Sequence, residues 1–285
     1  MLKLERHQKI VEYVNEYGAA TVDDLASETQ ASLATIRRDL IRLDQEKRIL
    51  RTHGGAVRYN QPAMEDLPLD VRQQMHQNEK ELVAEAAVQL IHEGTTIYIG
   101  AGTTGHALAS KLGTFHHLTV LTNDIDVAHE IALTDNSLIV AGGQLKPHSR
   151  TLYGFFAELT LRELNVDTAF MIVDAVDLDN GFMDYSVDEV SLKRLVIQNA
   201  KHCIMLCDAA KFQISALVNV CHLSDVQTVV TNAEADPACL KRLNESGITV
   251  VQAEKYDKGD ERRSIPFVVW ETPPTWRKST KYPCS

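Results

Sequence analysis

The residues of this chain whose types and spacing could do chemistry fall in a few short segments. Gly100-Ala101-Gly102-Thr103-Thr104-Gly105 follows a β-type run, Thr95–Ile99, and opens a helix. Small residues there let backbone N–H groups approach an anion, and the helix dipole and threonine hydroxyls add to that. A tight strand–helix turn that needs glycine for packing is the competing reading. Ala141-Gly142-Gly143-Gln144-Leu145-Lys146, with His148 and Arg150 close behind, again sets glycines beside cations, which suits an anion or a solvated charged loop. Asp174 is followed by Asp177 and Asp179, then by Asp188-Glu189 with Lys193 one turn on, and later by Asp208-Ala209-Ala210-Lys211. Acids and lysines converging at strand ends could bind sugar hydroxyls and phosphate, or move protons at a sugar carbon. Taken singly, each also suits a helix cap or a surface charge, and Glu189–Lys193 suits plain i,i+4 helix support.

A second kind of chemistry is written in Ser32–Val57. Leu33, Ile36, Leu40 and Leu43 recur at helical spacing as one apolar stripe, and Ser32 stands where an N-cap belongs. Thr35, Arg37, Arg38 and Arg42 take the other faces. Lys47–His53, Gly54-Gly55 and Ala56-Val57 read as strand, turn and return strand, a small wing. A helix with an exposed basic face joined to a basic hairpin is apparatus for entering a DNA groove. The candidate contacts are Ser32, Ala34, Thr35, Arg37 and Arg38, with Thr35 and Arg37 placed near bases and Arg38 or Arg42 near the backbone. Arg51 and His53 on the wing would reach phosphates or the minor groove. Arginine reads guanine bidentately or simply holds phosphate.

These segments need elements to carry them. Residues 4–17 form an amphipathic helix with Leu4, Ile10, Val11, Val14 and Tyr17 on its apolar face, and Thr21 caps a second helix from Val22 to about Glu28. Residues 1–57 thus read as a winged helix-turn-helix. Residues 58–69, with two prolines and no period, read as a linker. From residue 70 to 255 helices alternate with strands. Helices are expected at 79–91, 103–112, 127–133, 152–164, 189–200 and 237–245, and strands at 95–99, 118–122, 137–141, 168–173, 202–207, 226–230 and 248–251. Near-continuous apolar strands in that rhythm imply a mostly parallel sheet covered on both faces. Residues 256–285 read as an extended or loosely packed tail.

Charge is partitioned the same way. The 285-residue chain carries a net −10, yet residues 36–58 hold seven basic and three acidic side chains. A local patch of that kind, rather than the total, sets attraction to phosphates. The charged N-terminus lacks the apolar core of a signal peptide, and no run reaches the ~20 apolar residues of a membrane helix. The expected location is cytoplasmic, with no membrane partner. The five cysteines, odd in number and late in the chain, read as reduced thiols. Cys203 and Cys207 lack zinc-ligand spacing, His116-His117 offers no helical metal pair, and no metal or cofactor is expected.

Thr35-Ile36-Arg37-Arg38-Asp39-Leu40 and Arg51-Thr52-His53-Gly54-Gly55-Ala56 closely resemble the signature of DeoR-type bacterial transcriptional regulators. The resemblance continues through Gly102-Thr103-Thr104, Leu121-Thr122-Asn123, Ala141-Gly142-Gly143, Asp174 to Lys193 and Asp208–Phe212, so that it spans residues 3 to 253. Within the family it lies nearest the glycerol-3-phosphate repressor type. The resemblance implies a second domain with the α/β fold of ribose-5-phosphate isomerase, acting as sensor of a phosphorylated sugar or polyol in an oligomeric repressor. It implies phosphate contacts from Gly102, Thr103, Thr104 and Lys211, and places Asp174, Glu189 and Lys193 at the polar positions of an isomerase-like site. Gly143 joins them through its glycine loop. The chain departs from the family pattern at Gly100-Ala101, where a polar pair is usual, at Gly105, where threonine is common, and at Ala175, where glycine is usual. All three fall at the expected pocket.

The function expected from these readings is a regulator, a repressor of carbohydrate-metabolism genes, whose partners are operator DNA, an effector and further copies of itself. The rival is a sugar-phosphate isomerase or acyl-CoA transferase-like enzyme with an accessory head, using Glu189 or Asp174 as base. A third reading is an oligomeric scaffold with no ligand.

Overall fold

The computed structural model describes residues 3–17, 19–46, 48–51, 55–58, 72–73, 75–147, 149–212, 214–254 and 267–270. The chain divides into two compact units, residues 1–77 and 78–285.

The first unit contains α1 (Lys3–Tyr17), β1 (Ala19–Thr21), α2 (Val22–Thr29), α3 (Leu33–Gln45), β2 (Ile49–Arg51) and β3 (Gly55–Arg58). Thr21 caps α2 in a reciprocal box with Asp24, and Ser32 caps α3 by accepting from the Thr35 N–H. Ala19–Thr21, read from the sequence as a mere connection, is a strand that pairs with β3, making the wing three-stranded in the order β1-β3-β2. Ile10, Val14, Leu25, Ile36, Leu40, Leu43 and Ile49 form the core. Two expected core residues lie outside it: Leu4 is 78% exposed and Leu33 41%. Both continue an apolar stripe into the first turn of their helices. Periodicity fixes which face is apolar, not how far the packing partner extends.

In the second unit α4 (Gln77–Val88) precedes β4 (Thr96–Ile99), α5 (Thr103–Ala109), β5 (Thr119–Thr122), α6 (Ile125–Ala132) and β6 (Ser137–Val140). Then come β7 (Gln144–Lys146), β8 (Thr151–Tyr153), α7 (Phe155–Arg162), β9 (Val166–Ile172), β10 (Ala175–Asp177), β11 (Gly181–Asp184) and α8 (Val187–Asn199). The chain continues through β12 (Ala200–Leu206), β13 (Val218–Cys221), β14 (Thr228–Asn232), α9 (Pro237–Glu245), β15 (Thr249–Ala253) and β16 (Phe267–Trp270).

Among the described residues the main sheet has eight strands in the order β16-β15-β14-β12-β9-β4-β5-β6, parallel except for β16. Side chains alternate between two cores: Ala169 and Met171 of β9 face one, Phe170 the other, and Cys203, Met205 and Cys207 oppose Ile204 and Leu206. Both faces are therefore covered, which is why these strands read as unbroken apolar runs. From β4 the chain winds outward through β5 and β6, then returns to the other side of β4 as β9. That reversal opens a crevice beyond the carboxyl ends of β4 and β9, where ligands of open α/β sheets bind.

Three expectations for this unit change. The helix expected over 152–164 is shorter, because Thr151–Tyr153 pairs with Gln144–Lys146 as a hairpin and Gly154, at φ 87°, turns the chain before α7. A small antiparallel sheet, β10-β11-β13, was not expected at all. Its strands of three and four residues are too short to show a period. The presumed tail contributes β16, which pairs antiparallel with β15 at the sheet edge. The expected linker lies outside the described residues, apart from Arg58 in β3.

Candidate functional site

The surface expected to face DNA is built on α3. Ile36, Asp39, Leu40 and Leu43 are buried, which turns Ala34, Arg37, Arg38 and Arg42 outward. Among the described residues Arg37 and Arg38 form no ion pair, whereas Arg42 donates to Glu46 at 3.1 Å. Thr35 is half-buried, and its hydroxyl lies 2.8 Å from that of Ser32, within the cap. Asp44 accepts from the Arg51 backbone N–H at 2.9 Å, tying β2 to α3. A Cβ on Gly55 would lie 1.9 Å from the Ala20 carbonyl, so β1 can cross β3 only over a glycine. His53 lies outside the described residues.

Asp39 holds the helix in place. It is 4% exposed and accepts from Arg6 Nε at 2.6 Å, with His7 Nε2 at 2.9 Å. Burial alone would raise its pKa, but the hydrogen bonds from Arg6 and His7 outweigh that and hold it below the ordinary value. Sequence reasoning missed this triad.

In the second unit the expected residues lie in the segments that follow β4, β6, β9 and β12 and on α8. Gly102, at φ 132°, begins α5, and its N–H donates to Asp124 Oδ2 at 3.1 Å. Asp124 also caps α6 through the Asp126 and Val127 N–H groups. Burial pushes its carboxyl up to about 6 in spite of those three donors. Thr103 is half-buried and Thr104 buried. A Cβ on Gly105 would stand 2.2 Å from the Gly100 carbonyl, so this glycine serves close helix–strand packing. Gly143 has an equally local reason: its Cβ would meet the Tyr153 carbonyl at 2.4 Å as the hairpin passes.

The acids and lysines form an ionic network. Lys193 of α8 donates to the Ile172 carbonyl at 2.9 Å, at the end of β9, and to the carboxylate of Asp184. Asp184 accepts from the Asp174 N–H at 2.9 Å, and the Asp174 carboxylate accepts from the Tyr185 N–H at 3.3 Å. Lys146 of the hairpin donates to Ser186 Oγ at 3.0 Å and lies 3.6 Å from Glu189. Burial would strip Lys193 of its proton, but Asp184, Glu189 and Asp174 together hold its pKa above the ordinary lysine value. Lys193 therefore stays charged, and burial raises the Asp184 carboxyl.

The fully buried Tyr98 hydroxyl donates to Asn123 Oδ1 at 2.6 Å. Its ionisation is opposed first by burial, then by Asp124 and Glu189. Lys211 ends a 3₁₀ turn that Asp208 caps, and both it and Asp184 act on the Cys207 thiol, which burial pushes upward. The Gly102 loop and Lys193 both meet Ile172 at the end of β9, since a Cβ on Gly102 would stand 3.3 Å from the Ile172 side chain, and Asp184 links Lys193 to Asp174. Asp184, Asp124, Tyr98 and Ser186 were missed. The only signal for Asp184 was one acid ending the apolar run Gly181-Phe182-Met183. Cys203, Cys207 and Cys221 are free, buried thiols, and Cys239 is buried as well. No three-residue acid, histidine or cysteine group that could hold a metal occurs among the described residues. No helix described is long and apolar enough to cross a membrane.

Comparison with known proteins gives two domain matches: the DeoR-like helix-turn-helix domain over residues 6–62 and the DeoR C terminal sensor domain over residues 75–233. The glycerol-3-phosphate regulon repressor of Escherichia coli is 29% identical over 249 residues, 87% of this chain and 98% of that one. An uncharacterized HTH-type transcriptional regulator of Bacillus subtilis is 32% identical over 260 residues, 91% and 100% of the two chains. Among solved structures, ribose 5-phosphate isomerase A of Methanocaldococcus jannaschii superposes with a TM-score of 0.37 at 19% identity, covering 48% of this chain and 55% of that one. With both family domains in order and full-length relatives on either side of 30% identity, the chain belongs to the DeoR family of helix-turn-helix transcriptional regulators and is not an enzyme.

Proposed function

We propose that this regulator is a repressor of carbohydrate-metabolism genes that releases or engages operator DNA according to the level of a phosphorylated sugar or polyol. The observation that carries the effector half is the crevice: buried carboxylates, lysines and amide groups converge where β4 and β9 part. Asp174 and Glu189 suit sugar hydroxyls, with Lys193 and Lys146 as donors. Thr103, Thr104 and Lys211 suit the phosphate. Gly102 contributes its turn rather than its N–H, because Asp124 already holds that donor. On the DNA side Arg37 and Arg38 face outward for base or phosphate, with Ser32, Ala34, Thr35, Arg42 and Arg51 around them. Two copies present two such heads, and the effector acts by favouring one arrangement of them; it shifts the balance only by its difference in affinity for the two.

A thermal-shift screen of phosphorylated sugars and polyols tests this, with Lys211→Ala as control. At least one compound should raise the melting temperature of the wild type and fail with the variant. The same compound should alter affinity for DNA selected from a random pool. Identical DNA affinity with and without every compound would refute the sensing half and leave the DNA-binding half intact.

A further inference from the structure

The outward face of α3 carries an isoleucine in line with its arginines. Ile36, Asp39, Leu40 and Leu43 are buried. At about 100° per residue these positions span an arc of about 100°, and Ala34, Arg37, Arg38 and Ile41 span a second arc of about the same width on the far side of the helix. All four residues of the second arc are exposed, Ile41 at 41%. One exposed isoleucine is ordinary on a protein surface; its place in this line is what sets it apart. It does not serve the helix, because a β-branched residue is a poorer helix former than lysine, glutamine or glutamate. Leu33 is equally exposed, but it lies about 20° from the buried Leu40, at the border of the two arcs.

The second arc has the spacing i, i+3, i+4, i+7. Homeodomain recognition helices reach base edges from that same set of positions. Ala34 and Ile41 stand about 10.5 Å apart along the axis, a span of about three base-pair steps. Charge brings this face to DNA: residues 36–58 hold seven basic and three acidic side chains, and neither Arg37 nor Arg38 forms an ion pair among the described residues. Ile41 sits between those two arginines and one turn further on. An aliphatic side chain has no hydrogen bond to give or accept, so it can neither hold a phosphate nor read a polar base edge. The apolar group it can meet in the major groove is the C5-methyl of thymine.

We infer that Ile41 packs against a thymine methyl of the operator and so specifies a T·A pair beside the positions that Arg37 and Arg38 hold. The inference rests on α3 being the helix that enters the groove, and adds the base that one of its side chains reads. Seating the helix removes the exposed part of Ile41 and the thymine methyl from water together, so the contact favours thymine over any base that lacks the methyl.

The test uses the full chain and duplex DNA selected by it from a random pool. Each thymine of the selected site is replaced in turn by deoxyuridine, which removes the methyl and keeps pairing and charge. At one position the replacement should weaken wild-type binding about fourfold, the effect of one buried methyl group. Ile41→Ala should bind the thymine site about four- to tenfold more weakly and bind thymine and uracil alike at that position. Its response to uracil elsewhere and its salt dependence should match the wild type. Alanine is the better helix former, so the head should stay folded, as dichroism melting would show. Ile41→Val, which keeps a branched side chain, should keep most of the preference. A wild type indifferent to every uracil, or an Ile41→Ala variant with the wild-type uracil penalty at every position, would overturn the inference. Arg37→Ala/Arg38→Ala separates this from failure of the reading beneath it. If that double variant loses DNA binding while Ile41→Ala keeps the wild-type uracil pattern, the methyl contact alone is refuted. If the double variant binds as tightly as the wild type, α3 is not the groove helix and the inference falls with it.

Discussion

Asp39→Ala should abolish DNA binding without removing any group that faces DNA. The carboxylate is 4% exposed and joins α3 to Arg6 and His7 of α1. Removing it leaves a guanidinium whose side chain is 15% exposed and an imidazole 5% exposed with their partner gone. Breaking a buried pair in this way costs about 3–5 kcal/mol, because the stranded charge keeps its desolvation penalty. A unit of this size has roughly 3–8 kcal/mol of stability in all, at about 0.05–0.15 kcal/mol per residue. The variant head should therefore be largely unfolded at 37 °C. Replacing Arg6, His7 and Asp39 together by apolar residues of similar volume should restore much of the loss, since no charge is then stranded.

The assay is far-ultraviolet dichroism melting of the full chain together with limited proteolysis inside residues 3–58, because both tryptophans lie in the C-terminal unit and do not report on the head. DNA affinity should fall at least 100-fold while the transition of the sensor unit is unchanged. The sign with pH follows from the lowered pKa of Asp39: the stability it gives is present above the ordinary aspartate value and is lost as pH falls through its own lower one. A head that resists proteolysis as the wild type does, or an Asp39→Ala variant that still binds DNA, would refute the reasoning.

Three more outcomes are expected. Arg37→Ala should leave head stability within about 0.5 kcal/mol of wild type, weaken DNA binding, and, if its contact is a phosphate, lower the salt slope by about one. Gly55→Ala should cost about 1–3 kcal/mol in the head by overpacking, read by the same proteolysis, because its Cβ would meet the Ala20 carbonyl at 1.9 Å. Asp124 is pushed to about 6, so the folded protein holds an extra proton between the ordinary aspartate value and that point. Its contribution is full below that window and falls as pH rises through it, by about 3 kcal/mol at most. Denaturant titrations from pH 4 to 7 should show this slope in wild type and a flatter one in Asp124→Asn.

What was legible in the sequence and what was not divides along a physical line. Apolar spacing located the recognition helix, the parallel strands and the helix at Pro237–Glu245, because burying apolar groups leaves a period in the chain. The outward arginines were legible for the converse reason. Asp39 and Asp184 were not, since an acid in a motif or at a strand end reads as exposed until its partner is placed. The partners are far off: Arg6 lies 33 residues before Asp39, and Ile172 lies 21 before the Lys193 that it accepts from. A buried charge is tolerated only where another element supplies its counter-charge. Topology decides that, and the strand order β9-β4-β5 sets Tyr98 beside the end of β5, where its hydroxyl donates to Asn123 Oδ1 at 2.6 Å. The same reasoning separates the two roles of glycine here. Gly105 and Gly143 have backbone pressed against them and serve packing, so glycine in these two loops is no mark of an anion site by itself.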